Sequence, residues 1–435
     1  MRPLPLVLIT LGIAAWITGQ VWIVYHRSSF DFEAFYLGSG VVLIIQLLLA
    51  VAHRPYKSVD KDEGHVVVIV PVYNEHAHSL RSCLEALLKQ TRLPDEIHVV
   101  DDGSNENYTK VRTWFKRTAK MSGVGVVWIR QKNQGKRAAH VTALANIETE
   151  ENTIIVTVDS DSAVDYKAIE EGLKPFKDAA VESVAGLVLA RNVNTNLLSR
   201  ITDMLFVGMQ QLIDRSAMSE LNSVLVNSGA LAFYRMSAVS DALNNGYANE
   251  TFMGRKVGFS DDSFLTLFAL LRGKTVQQPT AIVFVDMPIT FSHHYRQQMR
   301  WMRGSFIRSL WRLRYLPVMS WALLRQLVGF LMLFVNTTIL IELLFVLPLT
   351  HHRAPPLTLL LIPLGLGFVQ SARYFTVERS DVTISGEIVQ FLLAPLASLY
   401  SIVVMRGFRF YGMLTCLKTG WNTRQEVEIH PEHHS

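Results

Sequence analysis

Thr153-Ile154-Ile155-Val156-Thr157-Val158-Asp159-Ser160-Asp161 is the stretch on which the fold turns. Its first six side chains are β-branched, which suits a pleated strand, and the run stops at two carboxylates. Two earlier segments share this design. Val66-Val67-Val68-Ile69-Val70 ends in Pro71, and Ile97-His98-Val99-Val100 ends in Asp101-Asp102-Gly103. Between those two, Leu80 to Leu88 carries a helical period. Apolar runs without alternation indicate strands covered on both faces, so the expected core is a parallel α/β sheet. Such sheets bind ligands at the carboxyl ends of their strands. Polar clusters stand at that edge: Tyr73-Asn74-Glu75, Asp101-Asp102 and Asp159/Asp161. No G-x-G-x-x-G follows the first strand and no G-x-x-x-x-G-K-[ST] occurs, which argues against a dinucleotide dehydrogenase and a P-loop NTPase.

Outward from this sheet, the chain becomes apolar. Of 435 residues 49% are hydrophobic and 18% charged, less charge than the roughly 25% of an ordinary soluble protein. The excess lies at the two ends, in Leu6 to Tyr25, Phe35 to Ala52, Leu324 to Leu349, Leu357 to Phe375 and Ile388 to Met405. Each is near the ~20 residues that a spanning helix needs. The first run lacks a small-residue cleavage site and a second follows directly, so a signal peptide is the weaker reading. Basic residues in 53–61 flank the second run and place the middle of the chain in the cytosol. The expected organisation is two N-terminal transmembrane helices in 1–59 and a large cytosolic domain in 60–290. An amphipathic interfacial helix in 291–320, membrane helices in 321–411 and a cytosolic segment and tail in 412–435 follow. A net charge of +5 is too small to suggest nucleic-acid binding, and two cysteines exclude a disulfide framework or an iron–sulfur protein.

Several residue groups carry candidate chemistry. Asp159 and Asp161 on one short loop suit a hard divalent cation, Mg²⁺ or Mn²⁺, that also takes phosphate oxygens. The plain alternative is an Asx turn or a helix cap. Gln134-Gly135-Lys136-Arg137 pairs a Gly-led turn with two cations at a helix start, a contact for diphosphate or simply a solvated basic turn. Asp261-Asp262 precedes the helical run Phe264 to Leu271 and reads either as a cap or as a general base for an acceptor hydroxyl. From His293 to Tyr315 there are six arginines and no acid, interleaved with aromatics. That composition suits a helix on an anionic membrane surface, or one presenting Gln297, Arg300 and Trp301 to a diphosphate and a sugar. The histidine pairs lack the spacing of metal ligands.

Taken in order, these pieces resemble a processive family 2 glycosyltransferase of the GT-A fold. The resemblance rests on Val72-Tyr73-Asn74-Glu75, Val100-Asp101-Asp102-Gly103-Ser104, Asn133-Gln134-Gly135-Lys136-Arg137, Asp159-Ser160-Asp161, Asp261-Asp262 and Gln297-Gln298-Met299-Arg300-Trp301. The last is the QxxRW signature of membrane polysaccharide synthases. Ala190-Arg191-Asn192, Ser228-Gly229, Phe252-Met253-Gly254 and Trp421-Asn422-Thr423-Arg424 are similar to segments of bacterial hyaluronan synthases. The resemblance implies a GT-A domain inserted between transmembrane helices, in a multi-pass protein of the cell membrane with a cytosolic catalytic domain. It also implies alternating UDP-GlcNAc and UDP-GlcA donors, with a growing polysaccharide exported through the bilayer and a monomer as the working state. Tyr73 would stack on uracil beside Glu75, with Asp101 and Asp102 on the uridine. Lys136, Arg137 and Arg300 would neutralise diphosphate, and Mg²⁺ or Mn²⁺ would sit on Asp159 and Asp161. Asp262 would be the base, Gln297 and Trp301 would meet the sugars, and Trp421, Thr423 and Arg424 would form a gating segment.

Some positions depart from the family pattern. Its GDDR is Ser260-Asp261-Asp262-Ser263 here, Ala230 replaces a proline, Asn227 replaces a cysteine, and Arg303-Gly304 is more like cellulose or chitin-type synthases. A chitin-oligosaccharide or poly-N-acetylglucosamine synthase with one donor is the rival reading. A transporter or receptor with a degenerate domain, and a dolichyl-phosphate sugar transferase, fit the motifs less well. A gating segment that returns to the cytosol requires an even number of spans after the catalytic domain. Ile388 to Met405, interrupted by Pro395, is therefore expected to be interfacial or re-entrant.

Overall fold

The computed structural model describes residues 33–57, 64–148, 152–346, 348–349, 358–377, 379 and 381–420. The apolar run Leu6 to Tyr25 and the Trp421, Thr423 and Arg424 segment lie outside them. The described chain divides into two compact units, one containing 55–199, 222–315 and 406–420, the other 33–54, 200–221 and 316–405.

The first unit is built on an eight-stranded sheet. Its strands are β1 (Val66–Val72), β2 (Glu96–Asp101), β3 (Gly125–Arg130), β4 (Ile154–Val158), β5 (Ala163–Val164), β6 (Val181–Ala190), β7 (Leu231–Arg235) and β10 (Lys274–Val285). A separate hairpin pairs β8 (Thr251–Phe252) with β9 (Arg255–Lys256). The sheet order is β3-β2-β1-β4-β7-β6-β10-β5. β3, β2, β1 and β4 run parallel as expected, but β7 is antiparallel to both β4 and β6, and β5 is antiparallel to β10. The sheet is therefore mixed, a correction to the wholly parallel expectation. A short reversed strand such as β7 carries too little pattern of its own to announce its direction.

Every residue of β1 is buried, and its side chains alternate between two cores. Val66, Val68 and Val70 pack with Leu80, Leu84, Leu87 and Phe115, while Val67 and Ile69 pack with Ala139, Ala143, Tyr234 and Phe264. Full burial of each such side chain contributes roughly 1.5–3 kcal/mol, so the apolar run reads as strand because both faces are in use. The β1–β4 ladder ends at the Ile69–Thr157 pair, whereas the β1–β2 ladder continues to Val72 and Asp101. Pro71, which has no N–H to donate, falls beyond the last β4 partner and leaves no ladder bond unmade there. The chain winds outward through β2 and β3 on one side of β1 and through β4 on the other. Ligands of open α/β sheets bind at such a reversal, which here falls between the tips of β1 and β4.

The second unit is helical. Glu33–Ala52 packs through Leu47 and Ala50 onto Ile213, Ala217, Val369 and Ala372. Met204–Arg215 is a 12-residue π-helix. The segment 200–221 thus groups with the apolar helices rather than with the sheet. Its charges are paired: Arg379 meets Asp203 at 3.2 Å, Tyr374 donates to Asp203 at 2.9 Å, and His53 contacts Glu220 at 3.0 Å. Such pairing is what lets ionisable groups persist in an apolar setting. Among the described residues one helix, Trp321–Phe345, is long and apolar enough to cross a membrane. Ile384–Leu392 and the helix that begins at Ala394 are bent by 41° at the break before Pro395. Leu37–Ala52 is apolar but shorter than a full span, and Thr358–Gln370 has 13 residues.

Candidate active site

The tips of β1, β2 and β4 bring the first predicted residues together. Asn74 takes a left-handed turn, with φ +48°, and its N–H donates to Ser104 Oγ at 2.9 Å. Asn105 N returns a bond to Asn74 Oδ1 at 2.7 Å, which fixes the loop carrying Tyr73 and Glu75 to the loop after β2. Tyr73 and Glu75 are half-buried at this edge. Asp101 is buried and accepts from Ser104 N at 2.9 Å. Asp102 is also buried, and both of its oxygens are engaged. Oδ1 accepts from Gln131 Nε2 at 2.7 Å and Gln134 N at 3.0 Å, and Oδ2 from Gly135 N at 2.7 Å. Asp102 therefore anchors the turn that launches the Lys136–Leu144 helix. Gly103, at φ +79°, lies so close to this loop that a Cβ would come within 2.8 Å of Asn133 N.

Lys136 stands among the end of β4, the start of the Asp261–Arg272 helix and the approach to β7. Its Nζ donates to Asp159 Oδ1 at 2.6 Å and stands 3.1 Å from Asp261 Oδ2. A Cβ on Gly229, just ahead of β7, would come within 3.1 Å of the same Nζ. Asp161 is exposed on the loop after β4. Burial, and then the charges of Asp161, Asp159 and Glu75, push the Cys83 thiol far above its ordinary range. The carboxylates from the β1 and β4 tips therefore act on one neighbourhood.

Among the described residues no three His, Cys, Asp or Glu side chains form a ready metal cage. Asp159 and Asp161 nevertheless offer hard oxygen donors on one accessible loop. That set fits a Mg²⁺ or Mn²⁺ that keeps water and phosphate oxygens among its ligands.

Asp261 and Asp262 open the Asp261–Arg272 helix after Ser260, which adopts φ +59° and ψ +42°. The two carboxyls sit in different fields. Burial raises Asp261, but Lys136, His140 and Arg137 outweigh it and hold this carboxyl well below the usual range. Asp262 is pushed up to about 6, first by burial and then by the charge of Asp261. Its Oδ1 accepts from Ser263 N at 2.6 Å. Neighbouring carboxyls whose environments drive their proton affinities apart are the arrangement expected of a charge anchor and a base.

The remaining cations are distributed differently from the sequence expectation. Arg137, expected at the diphosphate, is buried, with its donors turned to protein acceptors. Nη1 bonds Tyr247 O at 3.0 Å, and Nη2 bonds Glu250 Oε2 and Phe259 O, each at 2.7 Å. Against the diphosphate assignment, both terminal nitrogens of Arg137 donate to protein acceptors, which makes it a structural cation here, while its buried Nε has no hydrogen-bond partner among the described residues. Gln297 and Arg300 are half-buried on the Phe291–Tyr315 helix, and Trp301 is 38% exposed. The inward face of this helix holds Gln298, Gly304, Arg308 and Arg312 instead. Residue-by-residue reading missed Arg308, Glu250 and Tyr247. The i, i+4 spacing of Arg308 and Arg312 with Gly304 was an available signal, whereas nothing around Glu250 marked it.

Residues 67–243 match the family described as glycosyl transferase family 2. Hyaluronan synthase from Streptococcus pyogenes is 31% identical over 399 residues, which cover 90% of this chain and 91% of that protein. The chain belongs to glycosyl transferase family 2. This glycosyltransferase is also similar to an N-acetylglucosaminyltransferase from Azorhizobium caulinodans, 28% identical over 83% of this chain and 87% of that protein. Among solved structures it resembles the mannosyltransferase PcManGT from Pyrobaculum calidifontis, in complex with GDP-Man and Mn²⁺. That match has a TM-score of 0.55 at 15% identity and covers 95% of this chain and 99% of the other. The likeness identifies the mixed sheet as a GT-A-like glycosyltransferase fold. Nucleotide-sugar donors are the substrates of this family.

Proposed function

We propose that this glycosyltransferase is a membrane-embedded, processive, inverting enzyme that makes hyaluronan from UDP-GlcNAc and UDP-GlcA and exports the chain. The observation that carries the chemistry is the Lys136 bridge. One ammonium joins Asp159, at the donor end of the sheet, to Asp261, the neighbour of a carboxylate whose proton affinity suits a base. The 31% identity to hyaluronan synthase over 90% of the chain supports the choice of polymer.

In this reading Tyr73 stacks on the uracil, with Glu75 and Asp101 beside the nucleoside, and Asp102 holds the loop that receives the diphosphate. Asp262 accepts the proton of the acceptor hydroxyl as its oxygen attacks the anomeric carbon from the face opposite the leaving group. The bond from that carbon to the diphosphate oxygen breaks, the configuration inverts, and UDP departs with the electron pair. Lys136 and Arg300 supply positive charge to the leaving group, where fixed charges act most strongly. Asp159 and Asp161 would hold Mg²⁺ or Mn²⁺, which when bound adds further neutralisation of the diphosphate. Gln297 and Trp301 hold the acceptor sugar, and Trp421, Thr423 and Arg424 act as the gating segment. The protein is read as multi-pass in the cell membrane with the catalytic unit cytosolic. The domain limits are 1–59, 60–290, 291–320, 321–411 and 412–435, and a monomer is the working state. Enclosing the polymer among helices avoids exposing its hydroxyls to lipid.

The test supplies purified protein with each labelled UDP-sugar singly and together, plus Mg²⁺ or Mn²⁺. Polymer that needs both donors and is cut by hyaluronidase is the expected result. The N-acetylglucosaminyltransferase relatives favour a second reading, a single-donor synthase, and polymer from UDP-GlcNAc alone would establish it. A cysteine substituted at Trp421 and labelled from outside the cell would overturn the gating assignment.

A further inference from the structure

Behind the Asp261–Asp262 turn lies a buried ionic cluster that takes no part in the chemistry just described. Glu250 Oε2 accepts from Arg137 Nη2 at 2.7 Å and from Arg308 Nη2 at 2.9 Å, so two guanidiniums share one carboxylate oxygen. All three groups are almost fully buried: Arg308 is 1% exposed, Arg137 6% and Glu250 7%. They come from three separate places, namely the helix behind the Gly135 turn, the loop ahead of the β8–β9 hairpin, and the Phe291–Tyr315 helix.

Each arginine also grips the turn that aims Asp262. From one side, Arg137 Nη2 donates to Phe259 O at 2.7 Å and to Ser260 O at 3.3 Å. From the other, Arg308 Nε donates to Ser263 Oγ at 3.3 Å, and that hydroxyl passes its own hydrogen to Ser260 O at 3.1 Å. Both guanidiniums lie against the Phe264 ring, at 5.3 Å for Arg137 and 4.8 Å for Arg308. The residue so held, Ser260, lies in the left-handed region, a conformation that a non-glycine residue keeps only when its surroundings over-determine it. Gly304 closes the back of the turn, because a Cβ there would come within 1.8 Å of Ser260 Oγ.

We infer that Glu250 is a positioning residue for Asp262: by joining Arg137 to Arg308 it clamps the Ser260–Ser263 turn from two sides and sets the direction of the Asp262 carboxylate. The inference rests on the reading of Asp262 as the base. Because Arg137 adjoins Lys136, the clamp also ties the donor-side turn to the Phe291–Tyr315 helix within one unit. Glu250 stands apart from the substrate contacts proposed above, so its loss should appear in turnover rather than in donor affinity.

The experiment uses the full chain in detergent, with kcat and donor KM from labelled-sugar incorporation and UDP affinity from calorimetry. Glu250→Gln should lower kcat by about tenfold to hundredfold, the scale on which small misplacements of catalytic groups act. UDP affinity and donor KM should stay within about threefold, the pattern of a contact made only in the transition state. Glu250→Asp, which keeps the charge, should recover most of the lost rate. Ser263→Ala removes only the hydroxyl relay and keeps the result readable where Glu250→Gln fails to fold; it should lower kcat by a few fold at unchanged UDP affinity. Wild-type kcat in Ser263→Ala, or losses of kcat and UDP affinity in step, would overturn the positioning role. Normal polymerisation by Asp262→Asn overturns the base reading itself. An inactive Asp262→Asn beside a fully active Glu250→Gln overturns the positioning role alone.

Discussion

Replacing Lys136 with methionine should move the acid limb of turnover to higher pH. The ammonium stands 2.6 Å from Asp159 Oδ1 and 3.1 Å from Asp261 Oδ2. In an effective dielectric of about 20, a charge pair at the longer distance is worth about 5 kcal/mol. Losing that attraction raises Asp261, and the energy is an upper bound because water fills part of the vacated space. Asp262 feels the same ammonium at one remove. Burial and then the Asp261 charge raise it to about 6, while Lys136 pulls it down. If a quarter of the energy at Asp261 is felt there, about 1.3 kcal/mol, the Asp262 carboxyl rises by about one unit.

A base must be unprotonated to accept a proton, so kcat climbs with pH through this value. The variant should therefore lose about threefold more activity at pH ~6.5 than at pH ~8, on top of any pH-independent loss of diphosphate stabilisation. The assay is incorporation of labelled sugar at saturating donor across that range. An acid limb that stays near the wild-type position, or moves to lower pH, refutes the coupling of Lys136 to Asp262.

Other outcomes follow from the same geometry. Asp262→Asn should lower kcat by about a hundredfold or more, the usual worth of a general base. It should also raise the thermal midpoint by a few degrees, because holding Asp262 ionised costs up to about 3 kcal/mol. The folded carboxyl is raised above its unfolded value, so this gain is full above about pH 6 and vanishes below about pH 4, which melting curves at both ends check. Gly304→Ala should destabilise the protein by about 1–3 kcal/mol through overpacking against Ser260 Oγ. Adding Ser260→Gly removes that atom and relieves a left-handed residue, so the double variant should recover both midpoint and activity. Gly103→Ala, strained at φ +79° and crowded against Asn133 N, should raise donor KM by about tenfold or more with kcat little changed.

How much was legible in the sequence depends on what each residue needed in order to be seen. β1, β2 and β4 announced themselves because their side chains are covered on both sides, so that only His98 and Thr157 interrupt their apolar runs. The polar tips of those strands followed, and with them Asp101, Asp102 and Asp159. The mixed character of the sheet did not follow, since Leu231–Arg235 reverses without a signature of its own. The six arginines of the Phe291–Tyr315 helix were visible as a group, but not which of them turn inward. Arg308 and Arg312 do so because acceptors elsewhere in the unit await them: Glu250 for Arg308, and Leu225 O at 2.5 Å for Arg312. Only the fold puts Glu250 between Arg137 and Arg308, positions separated by more than half of the sheet's sequence.

The complete burial of β1, β4 and β6 has a consequence for altering this enzyme. No strand residue there can be exchanged for a polar one without exposing a cost on one of the two faces. Libraries aimed at donor choice should therefore vary the loops after β1, β2 and β4 and the short segment ahead of β7, and leave the strands untouched. Variation would then fall where solvent and substrate meet the chain, while the eight-stranded frame keeps each altered loop at its original address.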